Sequence, residues 1–188
     1  MLAYLHAVAP TLTVIDDLIL SRPHRDHVEL LPDLFAAYQV REVWDSGRVN
    51  DICGYRAFIE AVRDEPGVKY HNAIQGFGTW GYTFESGTCY GRPVAAETVE
   101  LQPDTRITHT PIILGQGASM TVLRADATPF SNVNDNSLVV QLDLGTTSFC
   151  SWETPRLADA PTRPWGQPSA PRKVHFSPVV RPNSPRRC

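Results

Sequence analysis

Two rhythms of apolar and polar residues run along the chain. As far as Gly67 the apolar positions gather into helix-spaced stripes and a few short buried runs. Leu2 to Ala9 reads as the end of a helix stopped by Pro10. Leu18–Ser21 predicts a buried strand, and Pro32 suits the first turn of a helix, where its missing N–H costs nothing, with Leu34, Phe35 and Tyr38 as the apolar stripe. Arg41–Trp44 predicts a short strand ended by Asp45-Ser-Gly47. The clearest helix spans Asp51 to Glu65: Asp51 caps it, Ile52, Tyr55, Phe58, Ile59 and Val62 recur at helical spacing, and Pro66-Gly67 stops it. From Val68 the rhythm changes to short strands between turns, at Val68–His71, Thr98–Leu101, Ile107–Leu114, Met120–Arg124, Ser137–Leu142 and Thr146–Phe149, with Gly145 turning the last two into a hairpin. Helices among strands followed by meandering strands predict a layered α/β or α+β domain. There is no internal repeat.

Charge divides the chain where the pattern does not. Residues 1–150 carry 10 Lys+Arg against 18 Asp+Glu, whereas residues 151–188 carry 7 against 2 and half of the 16 prolines. The expected organisation is therefore one domain over 1–149 and a Pro/Arg-rich, disordered tail over 150–188. The apolar runs are too short to span a bilayer, and Met1–Pro10 lacks the form of a signal peptide. Cys53, Cys89, Cys150 and Cys188 show no CxxC spacing and read as free thiols, which makes the cytoplasm the default location.

The chemistry concentrates in Ser21-Arg22-Pro-His24-Arg-Asp26-His27. In an extended chain, residues i and i+2 share a side, so position 22 and His24 face one spot, with Asp26 and His27 reaching it as the chain turns. Imidazole with carboxylate suits zinc, or manganese and iron at a more oxygen-rich site. The bland alternative has Asp26 capping a helix, Glu29 completing a capping box and both histidines solvated. Pro32 counts against it, because a helix starting near Leu31 begins too late for Asp26 to cap. His71 and His109 fall on predicted strands as satisfied or surface residues. Gly76-Phe-Gly78-Thr-Trp-Gly81 lacks the lysine and helix of a phosphate-binding loop. Trp44, Trp80, Tyr82 and Phe84 read as packing residues, and no motif pairs a serine or cysteine nucleophile with a base.

The loop resembles the His-x-His-x-Asp-His signature of the metallo-β-lactamase superfamily, with Arg22 in place of the first histidine. Asn134-Asp-Asn136-Ser-Leu-Val-Val-Gln-Leu-Asp-Leu-Gly145-Thr-Thr-Ser-Phe149 is similar to a hairpin of the competence-protein (DNA-uptake) type hydrolases in that superfamily, in matching order and at matching distance. The resemblance, which covers residues 1–149, implies a four-layer αββα sandwich, here partial. It also implies a two-zinc centre whose bridging hydroxide attacks phosphoester, ester or amide bonds. By position, His24 would bind the first metal and Asp26 and His27 the second, with Asp26 as the catalytic carboxylate.

The departures bear on the same site. Arg22 removes a ligand and adds a cation, and a unit charge about 5 Å from a divalent ion at an effective dielectric of about 20 opposes binding by several kcal/mol. Val28-Glu29-Leu30 stands where the family has Gly-Gly. Strands and a Gly-rich turn that precede the loop in the family, and the bridging aspartate and last histidine that follow the hairpin, have no counterpart, so the domain reads as truncated at both ends. At most one zinc is expected to bind, weakly.

The expected function is thus a metal-dependent hydrolase of phosphodiester or nucleic-acid type, with negligible activity. The competing class is a non-catalytic binding protein whose basic tail, through Arg172-Lys173 and Arg186-Arg187, contacts nucleic acid or another partner. No membrane partner is expected, and the pattern leaves substrate and oligomeric state open. The tail itself suggests a shifted reading frame. If Cys150–Arg156 is written TGC TCA TGG GAG ACG CCG AGG, one extra C after the Phe149 codon yields Leu-Leu-Met-Gly-Asp-Ala-Glu, an apolar strand leading to the family's metal aspartate. Sequencing the gene across codons 148–156 tests this; codons that do not give the strand and Gly-Asp in the neighbouring frame refute it.

Overall fold

A computed structural model describes residues 1–128, 130–151 and 179–180. In order they form α1 (Leu2–Val8), β1 (Val14–Ile19), α2 (Arg25–Val28), α3 (Pro32–Ala37), β2 (Gln39–Asp45), α4 (Cys53–Asp64), β3 (Lys69–Asn72), β4 (Trp80–Phe84), β5 (Gly87–Cys89), β6 (Arg92–Val94), β7 (Glu97–Leu101), β8 (Thr105–Arg106), β9 (Ile112–Gly115), β10 (Ala118–Arg124), a 3-10 turn (Val133–Asn136), β11 (Val139–Leu144), β12 (Thr147–Ser151) and β13 (Val179–Val180). The class is mixed α+β, dominated by strands. The chain divides into two compact units, one of residues 1–108 with 124–138 and one of residues 109–123 with the chain from 139 onward. The predicted tail lies outside the described residues apart from Cys150, Ser151 and the backbone of β13.

The first unit is built on a parallel sheet of order β1-β2-β3-β8. Parallel neighbours need a crossover, and α2 with α3 supplies the one from β1 to β2, α4 the one from β2 to β3. The stripe read from sequence is the buried face of α4: Tyr55, Phe58 and Ile59 are fully buried and Val62 nearly so. They join Leu34, Val40, Val43, Tyr70, Tyr82, Phe84 and Val99 in one hydrophobic cluster, so burial of this face drives the sheet and helices together. Tyr82 and Phe84 come from β4, which pairs antiparallel with β7 as a two-stranded ribbon. The packing role read for them holds.

Sequence and structure part at four places. Asp51 does not cap α4: Ile52 is its N-cap, and Asp51 Oδ2 instead accepts the Glu85 N–H at 3.1 Å. Of the strand expected over Ile107–Leu114 only Ile112–Leu114 forms one, within β9; β8 ends before it at Arg106, and Pro111, with no N–H for a ladder, precedes the start of β9. The β5–β6 hairpin, turned through Tyr90 and Gly91 at positive φ, had no alternating pattern to announce it. Finally, Cys53, Cys89 and Cys150 are not the free thiols expected; Cys188 lies outside the described residues. Cys53, at the start of α4, is bonded to Cys89 of β5 with Cα atoms 5.4 Å apart, and Cys150 is likewise disulfide-bonded.

The second unit is a sheet of order β13-β12-β11-β10-β9, in which β9–β10, β11–β12 and β12–β13 pair antiparallel. The hairpin read over 137–149 is β11–β12, with Leu144 opposite Thr147 and Gly145 at φ +57° in the two-residue turn. No helix among the described residues is long and apolar enough to cross a membrane.

The Cys53–Cys89 bond closes a loop across a sequence separation of 36. A loop of that length restricts the unfolded chain by about 3–4 kcal/mol. Reduction, or a Cys53→Ser/Cys89→Ser double variant, should lower unfolding free energy by roughly 2–4 kcal/mol in a denaturant titration. Peptide mapping under non-reducing conditions that finds both thiols alkylatable contradicts the bond. Disulfides persist in oxidising compartments, so the pair pulls against the cytoplasmic default.

Candidate functional site

Because β1, β2 and β3 run in one direction, their carboxyl ends open on one edge, the edge at which open parallel sheets place ligands. The loop after β1 carries the predicted residues. Leu20 N–H donates to Trp44 O at 2.9 Å, prolonging the β1–β2 ladder by one step, and the chain then leaves the sheet. Asn50 Nδ2 donates to Pro23 O at 2.6 Å, so the loop after β2 braces the loop after β1. His24 is the extended N-cap of α2, which puts Asp26 in that helix's first turn. Asp26 is not the cap, and the capping-box alternative falls with it; Glu29 pairs with Arg25 at 3.1 Å.

The loop brings the four polar residues together. His24 Nδ1 is 2.6 Å from Asp26 Oδ1, Arg22 Nη2 is 3.7 Å from Asp26 Oδ2, and His27 Nε2 is 3.6 Å from the same oxygen. His27 Nδ1 meets Ser21 Oγ at 3.0 Å. Burial works to raise the Asp26 pKa, but the His24 hydrogen bond, then His27 and Arg22, outweigh it and hold the carboxyl below its ordinary value. The His27 pKa is lowered, first by burial and then by the Arg22 charge, and these outweigh the opposing pull of Asp26 and favour the neutral imidazole.

The second motif reaches the same loop. Leu138 N–H donates to Ser21 O at 2.7 Å, which docks the Asn134–Leu138 stretch against the start of the histidine loop. Asn136 ties its own loop, with Oδ1 accepting Phe130 N–H at 2.7 Å and Nδ2 donating to Phe130 O and Asn132 O.

As they stand, the residues do not fit the two-zinc centre that the resemblance implies. Asp26 is the one carboxylate shown between the two imidazoles; its Oδ1 is engaged by His24 and its Oδ2 faces a guanidinium. Among the described residues no group of three His, Cys, Asp or Glu is arranged to hold a metal. His71 lies elsewhere in the sheet as a partnered histidine, 5% exposed, stacked on Trp44 at 4.0 Å, with Nδ1 2.7 Å from Thr105 Oγ1 and Nε2 3.3 Å from Glu42. His109 Nδ1 donates to Val122 O at 2.7 Å in the second unit. Gly76–Gly81 runs into β4 rather than a helix.

Sequence reading missed the buried carboxylate at the end of β2. Asp45, wholly buried, accepts Tyr55 OH at 2.7 Å and Tyr70 OH at 2.8 Å through Oδ2, and Tyr70 OH bonds in turn to Tyr82 OH. The next turn needs glycine: Gly47 has φ +76°, and a Cβ there would lie 3.1 Å from Asn72 Cβ. Only the run Trp44-Asp45-Ser-Gly47 hinted at a strand end, and nothing in it marked the aspartate as buried.

Burial pushes the Asp45 carboxyl up to about 6, against the tyrosine hydrogen bonds and the Ser46 and Gly47 amides. Between pH about 4 and about 6 the folded state keeps a proton that the unfolded state has lost, so stability should fall as pH rises through that window and then level off, by an amount on the order of 3 kcal/mol. Asp45→Asn keeps an acceptor for both tyrosines and should flatten this slope in urea titrations at pH 4, 5, 6 and 7. An unchanged slope assigns the effect to other groups.

Scans against protein-family models, curated proteins and solved structures give no match for the chain.

Proposed function

We propose that this chain carries the metal loop and motif hairpin of a metallo-β-lactamase-like hydrolase of the competence-protein type, within a partial αββα sandwich, and that it does not turn over substrate itself. The parent reaction is metal-assisted hydrolysis of a phosphodiester, with nucleic acid as the natural substrate class and zinc as the metal. The observation that carries this reading is the hydrogen bond from Leu138 N–H to Ser21 O. The two segments on which the resemblance rests lie far apart in sequence, and an accidental pair of look-alike stretches has no reason to meet. They meet at the carboxyl edge of the parallel sheet, where His24, Asp26 and His27 also stand. The loss of turnover follows from the same loop, since Arg22 brings a positive charge to the carboxylate a metal would need.

The test is hydrolysis of bis-p-nitrophenyl phosphate by the full chain with added zinc or manganese. No release of nitrophenolate above the protein-free rate is expected. Metal-dependent turnover that disappears in His24→Ala overturns the loss of activity.

A further inference from the structure

In loop 21–27 the Arg25 guanidinium pairs with Glu29, while the Asp26 carboxylate has the His24 and His27 imidazoles and the Arg22 guanidinium within 3.7 Å. The burial within it is inverted from that of an ordinary surface ion pair. Asp26 is 65% exposed, while the Arg22 side chain is only 13% exposed. A surface arginine normally keeps its charged end in water, whereas a guanidinium drawn under the surface must be compensated by the groups around it. Asp26 supplies part of that compensation, and the His24 and His27 rings flank the same carboxylate. Sequence order explains why Arg22 can reach: it is four residues before Asp26, with the first turn of α2 folding the chain back.

We propose that Arg22 is the resident cation of this loop: its guanidinium takes the place beside Asp26 that a divalent transition metal would hold with His24, Asp26 and His27, and removing it converts the loop into a metal site. This deepens the functional reading and rests on its identification of residues 21–27 as a metal-type loop. The physical content is charge. Two imidazoles and a carboxylate are a donor set suited to zinc or cobalt, and the groups already stand on one loop, held by Ser21 Oγ on His27 and by Asn50 on Pro23 O. A fixed positive charge this close to the carboxylate opposes entry of a second cation.

The experiment titrates zinc calorimetrically, and cobalt by its visible absorption, into the full-length wild type and into Arg22→Met, Arg22→His and Arg22→Lys, each checked for a cooperative thermal transition. Arg22→Met keeps the apolar stem and drops the charge, Arg22→His drops the charge and offers a third imidazole, and Arg22→Lys keeps the charge. Two charge-removing variants keep the test open if one of them does not fold. The expected result is binding at least about a hundredfold tighter in Arg22→Met or Arg22→His than in wild type, a cobalt spectrum that vanishes when His24→Ala is added, and a blank spectrum in Arg22→Lys. Wild type that binds zinc as tightly as these variants refutes the role of Arg22 while leaving the metal-type loop standing. An Arg22→Lys protein that binds like Arg22→Met also refutes it, since bulk rather than charge then excludes the ion. If the folded charge-removing variants bind neither ion, the metal-type loop is itself wrong, and the proposal falls with it.

Discussion

The buried carboxylate of Asp45 is the polar point on which the first unit turns. Tyr55 reaches it from α4 and Tyr70 from β3, and Tyr82 of β4 is linked through Tyr70, so one aspartate on β2 ties four elements. A buried carboxylate without partners would be strongly destabilising; the two tyrosine hydroxyls on Oδ2 offset part of that cost, while Oδ1 is buried without a hydrogen-bond partner among the described residues. The same tyrosines present their rings to the hydrophobic cluster, so packing and polar satisfaction select the same arrangement. Asp45 ends β2, and the turn that follows at Gly47 lies against Asn72 at the end of β3, so the knot also sets where the loops leave the sheet.

From that edge the site is assembled by backbone and side-chain ties rather than by its polar residues alone. Asn50 holds Pro23, Leu138 holds Ser21, and Ser21 holds His27. These contacts hold the loop through its backbone and through His27. In this chain a guanidinium is the positive charge beside Asp26, and it accounts together with His24 and His27 for a carboxyl that stays ionised despite partial burial. The loop is therefore held in place by its neighbours, with the Arg22 guanidinium supplying a positive charge beside Asp26.

Much of the first unit was legible because its signals are local. The stripe Tyr55, Phe58, Ile59, Val62 specifies α4 by spacing alone and Pro32 specifies the start of α3; in the second unit Gly145, at positive φ, marks the β11–β12 turn. Errors fell where a partner distant in the chain decides. Asp51 looked like a cap until Glu85 claimed it, and Cys53 and Cys89 looked like free thiols until the fold brought them together.

By itself the sequence determined the residue types on loop 21–27, the helix and hairpin periodicities, and the break in charge near residue 150, because each is read within a few neighbouring positions. Tertiary structure alone decided that Asp45 is buried under three tyrosines, that Cys53 is joined to Cys89, that Leu138 docks on Ser21, and that Arg22 turns its charge toward Asp26 from beneath the surface. The first three depend on chain closure over long separations. The last depends on a side chain whose direction is set by what surrounds it, which no spacing records.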